Sequence, residues 1–133
     1  MAITLTDATR TASIRKIASL ADVSSPGNLK ITSVPGNYGV GTGLLVTCAL
    51  NATAFSPGAA GVENMGVSPA VSGVAIAQGP PVEFQIEDGA GLAVLKGTVG
   101  TSGSGANLIH STGNITTGGT VTINSLALTA PAV

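Results

Sequence analysis

The chain has few charged residues and almost no aromatic ones. Five of its 133 residues are Lys or Arg and six are Asp or Glu. Charged residues thus make up 8 % of the chain, against roughly 25 % in ordinary domains. The formal net charge is -1. Because proteins bind nucleic acids through many contacts from Lys and Arg to phosphates, this composition argues against a DNA- or RNA-binding protein.

Cysteine and histidine each occur once, as Cys48 and His110. A single cysteine excludes a disulfide within the chain, and the apolar neighbours of Cys48 predict a small buried side chain. A zinc site takes about three or four His, Cys or carboxylate ligands, so this pair does not supply the usual set. A catalytic triad would have to use His110, which we interpret as a surface or packing residue.

Long apolar runs are also absent. No segment approaches the roughly 18–20 consecutive apolar residues of a transmembrane helix. The first residues, MAITLTDATR, lack the basic region and apolar core of a secretory signal. The sequence therefore predicts neither membrane insertion nor secretion.

Hydrophobic residues and glycine are plentiful, at 44 % of the chain and 19 residues respectively. With so little charge to cover the fold, this composition favours a protein that packs against neighbouring molecules. The length fits one domain. We predict an extended arm over residues 1–6, in which Ile3 and Leu5 alternate with other residues, and a single β-sandwich domain over residues 7–133.

One helix is predicted, over about residues 8–22, with Asp7 as its cap. The residues that helical spacing places on its buried face are Ile14, Ile17, Ala18 and Ala21. The residues predicted to point away from the core are Arg15, Lys16 and Ser19. The run Ser24 to Gly27, which contains a proline, ends the helix.

The rest of the chain has a β pattern. Short alternating segments separated by Gly-rich turns at roughly 8–14-residue intervals predict an antiparallel β-sandwich or jelly roll. In the clearest strand, Val82, Phe84 and Ile86 point inward and Glu83, Gln85 and Glu87 outward. Asp88-Gly89 predicts a type I′ hairpin turn. A last strand is predicted over Val121 to Leu128, and its shift of apolar phase suggests a bulge or two buried faces.

Three carboxylates lie close together in the sequence, at Glu83, Glu87 and Asp88. Paired carboxylates can serve acid–base catalysis or bind calcium. The alternation of a solvent-facing strand explains Glu83 and Glu87, however, and a turn explains Asp88. We therefore predict no catalytic residues, no metal ligands and no cofactor.

Two glycine-rich segments raise the question of phosphate binding: GTVGTSGSGANLI from Gly97 to Ile109, and the run Gly39, Gly41 and Gly43. A phosphate-binding P-loop ends in Gly-Lys-Ser/Thr and opens a helix, whereas the first segment has no lysine and precedes a β pattern. Neither run has the strand before it and the helix after it that a dinucleotide fold needs. We interpret both as strand connections. The glycosylation sequons at Asn51 and Asn114 are treated as chance matches.

Taken in order, several blocks resemble a known family. The helix TDATRTASIRKIASLAD leads into GNLKITSVP; later come VEFQIEDGAGLAVLKGTVGTSGSGANL and ITTGGTVTINSLALTAPA. This order resembles a family of small virion proteins of tailed bacteriophages, in which a short helix leads into G.L.IY and a strand–DG–strand hairpin precedes G.VGTSGADLNL. The family ends in ITSGDTVTVTSFTLT. This chain departs from the family in having VEFQI for TWFRI, and GSGANLI for GADLNL.

The resemblance implies a capsid decoration or cement protein, with an all-β, jelly-roll-like fold, that assembles as an oligomer on the head lattice. The implied partners are the major capsid protein and further copies of the chain, as a dimer or a trimer. The implied location is the capsid surface of the virion, and the host cytoplasm during assembly. Polarity and length suggest contacts through the 1–6 arm and the loops Pro35–Gly43 and Ser56–Pro69.

Two other functions are weighed against this one. A β-sandwich module of a phage tail or fibre could recognise host glycans, for which exposed aromatic rings are typical and Tyr38 is the candidate. An enzyme would depend on His110. The sequence favours the structural protein over both.

Overall fold

The fold is given by a computed structural model that describes residues 5–67, 70–101, 104, 106–109, 114–123 and 125–129. In this part of the chain the protein is mostly β, with a single short helix and a sandwich-like arrangement of largely antiparallel sheets. The predicted fold class is thus confirmed. The elements are α1 (Asp7–Leu20), β1 (Asn28–Thr32), β2 (Leu44–Ala49), β3 (Phe55–Pro57), β4 (Val62–Met65), β5 (Val71–Val74), β6 (Glu83–Glu87), β7 (Ala93–Gly100), β8 (Leu108–Ile109), β9 (Thr120–Ile123) and β10 (Ala127–Thr129).

The helix begins one residue earlier than predicted and ends two residues earlier. Its N-cap is Thr6, whose hydroxyl accepts a hydrogen bond from the Thr9 N–H, so the prediction of Asp7 as the cap is wrong. Asp7 occupies the first turn, where a negative charge is favourable, and forms an ion pair with Arg10 at 3.1 Å. Beyond Leu20, hydrogen bonds from each N–H to the carbonyl three residues back continue the winding as far as Val23.

Helix α1 packs on the sheet formed by β3, β4 and β10. Ile14, Ala18 and Ala21 are buried, as predicted. Ile17 is 41 % exposed, so the prediction that it belongs to the core is wrong. Arg15, which was predicted to point away, has its guanidinium on a carboxylate of β4.

The largest sheet has the strand order β2-β1-β6-β7-β8. Its first four strands are antiparallel, and the register places Ile31 opposite both Val46 and Phe84. These side chains face the core, since alternation puts every second residue of each strand on one face. The short strand β8 pairs with β7 in parallel over two residue pairs.

The β6–β7 hairpin is present as predicted, but its turn is not type I′. It comprises five residues, Asp88 to Leu92, and positive φ occurs at Gly91 (+85°) and not at Asp88 or Gly89. Gly89 is required for space, because a Cβ there would lie 1.6 Å from the carbonyl oxygen of Ser24. The turn therefore lies tightly against the chain that follows α1.

Two smaller sheets complete the fold, with strand orders β10-β4-β3 and β5-β9. Strands β3 and β4 lie where the sequence predicted a loop, over Ser56 to Pro69. The predicted last strand, Val121 to Leu128, is two strands that belong to different sheets. Its shift of apolar phase marks this change of sheet. β5 lies against β2, where Gly73 leaves room for the carbonyl oxygen of Thr47.

The buried apolar side chains form one cluster between the sheets and the helix. Both phenylalanines belong to it, with Phe55 1 % and Phe84 2 % exposed. Cys48 is fully buried, which confirms its prediction as a packing residue, and burial raises the pKa of its thiol to about 11. Among the described residues, α1 is neither long enough nor apolar enough to cross a bilayer.

Candidate interaction surface

The six carboxylates of the chain all lie in the described residues, and each has a partner within the molecule. Three form ion pairs and three accept hydrogen bonds from backbone N–H groups. The ion-paired residues are Asp7, Glu63 and Glu87, and the acceptors of backbone N–H groups are Asp22, Glu83 and Asp88. The negative charges thus serve the fold, and three of them, at Glu63, Glu87 and Asp88, are buried.

Glu63 is the most deeply buried of these carboxylates, at 1 % exposed. Its Oε1 is paired with Nη1 of Arg15, which also donates to the carbonyl oxygen of Phe55 at 3.3 Å. Burying a carboxylate without a counter-charge costs much free energy, so the fold needs Arg15 to balance the buried charge of Glu63. The pair fixes α1 to β4 at the point where the helix crosses the sheet.

Glu87 is 6 % exposed, so the prediction that it faces solvent is wrong. Its Oε1 pairs with Nζ of Lys30 at 3.1 Å, and its Oε2 accepts from Nε2 of Gln85 at 2.9 Å. Lys30 lies directly opposite Gln85 on the neighbouring strand. A register shift after Ile86 accompanies this burial.

Asp88 and Glu83 accept hydrogen bonds from two different loops. Oδ1 of Asp88 accepts from the N–H groups of Ala90 and Leu92, both at 2.9 Å, and so closes the β6–β7 turn. The three carboxylates that the sequence places close together are therefore used at three different points of the fold. No group of three or more His, Cys, Asp or Glu residues suited to a metal ion occurs among the described residues.

The loop Pro35–Gly43 is held to the sheet through Glu83. Oε1 of Glu83 accepts a hydrogen bond from the Tyr38 hydroxyl at 2.6 Å and another from the Gly36 N–H at 3.0 Å. These two hydrogen bonds lower the pKa of Glu83, and the one from Tyr38 has the larger effect. Burial is the main cause that raises the pKa of Tyr38, and the hydrogen bond to Glu83 and the negative charge of Glu83 raise it further. Tyr38 is half-buried, and its hydroxyl anchors this loop.

The segment Gly97 to Ile109 connects strands β7 and β8, as predicted. Oδ1 of Asn107 accepts from the Thr98 N–H at 3.1 Å, and the Asn107 N–H donates to the Thr98 hydroxyl at 3.2 Å. These bonds join the two ends of the connection. The run Gly39, Gly41 and Gly43 lies in the β1–β2 loop.

The remaining candidates are placed as follows. Nδ2 of Asn51, in the first sequon, donates to the carbonyl oxygen of Gly66 at 2.9 Å, and Asn114 is exposed. His110 lies outside the described residues. So do Met1 to Thr4 of the predicted arm, together with residues 68 and 69 of the second predicted contact loop.

Large apolar side chains are exposed on several loops and strand ends. The five most exposed among the described residues are Val40 at 78 %, Leu92 at 67 %, Val74 at 60 %, and Ile76 and Ile109, both at 51 %. On the outer face of the β5–β9 sheet, Ser72 lies opposite Thr122 and Val74 opposite Thr120, and all four are exposed. This face carries hydroxyl and aliphatic groups without charge.

Two cavities open near the β7–β8 connection, with volumes of about 290 and 320 Å³. The first lies between β8, β9 and the segment leading into β10. The second lies between α1, β7 and β10, and both touch Asn107, Leu126 and Ala127. Lys96, in the second cavity, is the single ionisable residue among their described lining residues. Among the described lining residues, the cavities thus combine aliphatic side chains with uncharged polar ones and do not hold a set of acids and bases.

Comparison of the chain with protein-family models, with curated proteins and with solved structures gave no match.

Proposed function

We propose that this chain is a structural protein of a tailed-bacteriophage virion, which binds the outer head lattice and stabilises it as a decoration or cement protein. The resemblance of Gly97 to Leu108 and of Ile115 to Thr129 to such proteins suggests the role. The observation that carries it is the placement of charge. All six carboxylates have a partner within the molecule, three of them are buried, and several large apolar side chains are exposed.

The proposed mechanism is binding without turnover. Charged groups are expensive to remove from water, whereas aliphatic groups gain free energy when they are covered. The outer face of β5–β9, with Ser72 opposite Thr122 and Val74 opposite Thr120, can be buried against a capsid subunit without stripping water from a charge. Many copies on one shell make the sum of modest contacts large.

The β1–β2 loop is the best-defined contact element of the proposal. Glu83 holds it at Gly36 and Tyr38, and Val40 extends beyond these anchors at 78 % exposed. A loop that is already held in place loses less conformational entropy on binding than a free one. Val40 is therefore expected to contribute an apolar contact to the major capsid protein.

A density map of purified virions, with their heads and tails, prepared with and without this chain, tests the role directly. The expected result is additional density of this size outside the shell at stoichiometric occupancy. Density confined to tails or fibres would support the alternative function, recognition of host glycans. Absence of the chain from the particles would refute both virion roles.

Two variants then test the contact surface. Val40→Glu is expected to lower occupancy on heads at least tenfold, since it would bury an unpaired charge. Ala12→Glu, at an exposed position of α1, is the matched control and should bind as the unmodified chain does. Deletion of residues 1–6 should also weaken binding, and unchanged occupancy would remove the arm from the proposal.

A further inference from the structure

The 320 Å³ cavity between α1, β7 and β10 is bordered by the edges of two different sheets. In the described part of the chain, β10 is an outer strand of the sheet β10-β4-β3, and β8 covers β7 only at Val99 and Gly100. We call this cavity the edge recess. Its large apolar lining residues are Ile14, Ile17, Phe84, Leu95, Leu126 and Leu128.

The edge of β7 at the recess carries backbone groups that no described strand uses. The Val99 N–H donates to the Val82 carbonyl oxygen at 2.8 Å, so Val99 and every second residue before it direct their backbone groups toward β6. The backbone groups of Thr98 and Lys96 therefore point away from β6. The Thr98 N–H follows this pattern, since it donates to Oδ1 of Asn107 at 3.1 Å. The Lys96 N–H has no such partner among the described residues.

The outer edge of β10 borders the recess from the other side. The Met65 N–H donates to the Leu126 carbonyl oxygen at 2.8 Å, and Leu128, two residues further on, likewise directs its backbone groups toward β4. Those of Ala127 and Thr129 point away from β4, and both residues line the recess. In the described part of the chain, no strand pairs with this edge.

The described side chains that face into the recess are uncharged. Lys96 is the single ionisable residue among its described lining residues. Leu95 and Gly97 lie opposite core residues of β6, so Lys96 between them directs its side chain to the outer face of the sheet while its backbone borders the recess. An occupant must therefore supply backbone donors and acceptors together with uncharged side chains. An extended peptide segment supplies both.

We propose that the edge recess receives an extended segment of the major capsid protein, which adds to the open edge of β7 and inserts an apolar side chain between α1 and β10. This inference rests on the proposed function and names the kind of capsid segment that is bound. An unpaired strand edge is a template for pairing with another chain. The recess has about twice the volume of a ~150 Å³ cavity that takes up a benzene ring, so it has room for an aliphatic side chain.

Two substitutions of Lys96 test the backbone contact. Lys96→Pro removes the outward N–H and puts the proline ring in the way of an added strand; since that N–H takes no part in the β6–β7 ladder, the sheet should still form. Lys96→Ala removes only the side chain. In co-sedimentation with heads that lack the chain, Lys96→Pro should raise the dissociation constant at least tenfold and Lys96→Ala less than twofold. Equal binding by the two variants would contradict the proposed strand addition.

A second pair of variants tests the wall of the recess. Ile17→Glu places a carboxylate where the inserted side chain would bury it, so the dissociation constant should rise at least tenfold. Ala12→Glu adds the same charge at an exposed position of α1 outside the recess and should change it less than twofold. Ile17 is 41 % exposed, so the variant should fold, which far-UV circular dichroism checks for all four proteins. If neither Lys96→Pro nor Ile17→Glu weakens binding, the inference is refuted.

A density map of the decorated heads at side-chain resolution identifies the occupant. The expected result is an extended segment of the capsid protein alongside β7. A recess that is empty, or that is filled by a second copy of this chain or by its own residues 130–133, would overturn the inference and leave the proposed function intact. An unmodified chain that does not bind heads at all would refute the proposed function and this inference together.

Discussion

At the scale of single residues, ion pairs join parts of this protein that are distant in sequence. Glu63 and Arg15 are separated by 48 residues in sequence, yet they join the helix to the sheet beneath it. Glu63 is 1 % exposed, whereas the Arg15 side chain is 43 % exposed. Removing the arginine would therefore leave a buried charge, while removing the glutamate would leave one in contact with solvent.

The Arg15–Glu63 pair gives a stability prediction. Arg15→Ala should lower the free energy of unfolding by about 3 kcal/mol, near the low end for breaking a buried pair, because Arg15 is itself partly exposed. Adding Glu63→Gln should recover part of this loss, since the amide carries no charge. Lys16→Ala, on the same helix, should stay within about 0.5 kcal/mol. Urea unfolding measures all three, and equal effects of Arg15→Ala and Lys16→Ala would contradict the prediction.

A second prediction concerns pH. The pKa of Glu83 is lowered in the folded state, so its contribution to stability is full above the unfolded pKa of about 4.3 and is lost as pH falls through the lower folded value. Tyr38→Phe removes the main cause of the shift and should raise the pKa of Glu83. Titration of the Glu83 carboxyl by NMR checks this. Tyr38→Phe with an unchanged Glu83 titration would show that the hydroxyl is not the cause.

The sequence predicts apolar residues better than charged ones. Alternation correctly placed Phe84 and Ile86 in the core, and apolar neighbours correctly placed Cys48 there. The same reasoning placed Glu87 in solvent, and Glu63 lies in a segment that was predicted to be a loop, yet both are buried. Their burial depends on Arg15 and Lys30, which neighbour them only after the chain has folded. A local pattern contains no sign of such a partner.

Among the elements, the β6–β7 turn contains a glycine that is required by close packing. Gly89 does not have a positive φ, but it has no room for a side chain. The Gly89 N–H donates to the Val23 carbonyl oxygen at 2.9 Å, and the turn lies against Ser24. The turn thereby ties the largest sheet to the end of α1. Any side chain at position 89 would separate the two.

Gly89→Ala should therefore destabilise the protein by about 3 kcal/mol, at the upper end of the usual cost of overpacking. The obstacle is a backbone carbonyl, which cannot rotate away as a side chain can. Ala90→Ser, at the exposed neighbouring position, should change stability by less than about 0.5 kcal/mol. Thermal and denaturant unfolding of the two variants measure the difference; a neutral Gly89→Ala would show that the turn can move.

Element prediction succeeded where apolar alternation was uninterrupted and failed where it was not. The helix and the β6–β7 hairpin were found. β4 was missed because Glu63 occupies one of its two buried positions and thus hides the alternation. β9 and β10 were merged because only three residues, 124–126, separate them in sequence, and none of the three is glycine or proline.

For the whole molecule, the pairing of every carboxylate within the fold leads to a prediction about salt: the proposed attachment to heads should depend little on ionic strength. Raising the ionic strength from about 0.1 M to about 1 M shortens the Debye length from about 10 to about 3 Å. We expect this change to alter occupancy on heads less than twofold, whereas urea should release the chain because it weakens apolar contacts. Co-sedimentation with heads measures both, and release by salt alone would point to a charged interface.

Composition and turn spacing were enough to predict the fold class, but they did not predict which parts of the surface are apolar. Neither the cavity beside Ile17 nor the packing of the β1–β2 loop on Glu83 can be read from a local pattern, since each joins distant segments. The low content of charged residues predicted only that the protein would pack against neighbouring molecules. Which faces are apolar depends on which carboxylates the fold uses internally.

The anchored β1–β2 loop also bears on the use of this protein as a display scaffold. Val40 stands between anchors at Tyr38 and β2, and a Cβ at Gly41 would meet no atom within 4 Å. A foreign epitope inserted after Val40 should thus be carried outward while the hydrogen bonds that hold the loop remain intact. The same graft in the hairpin at Gly89 would have to displace the Ser24 backbone, so that end of the molecule should reject insertions.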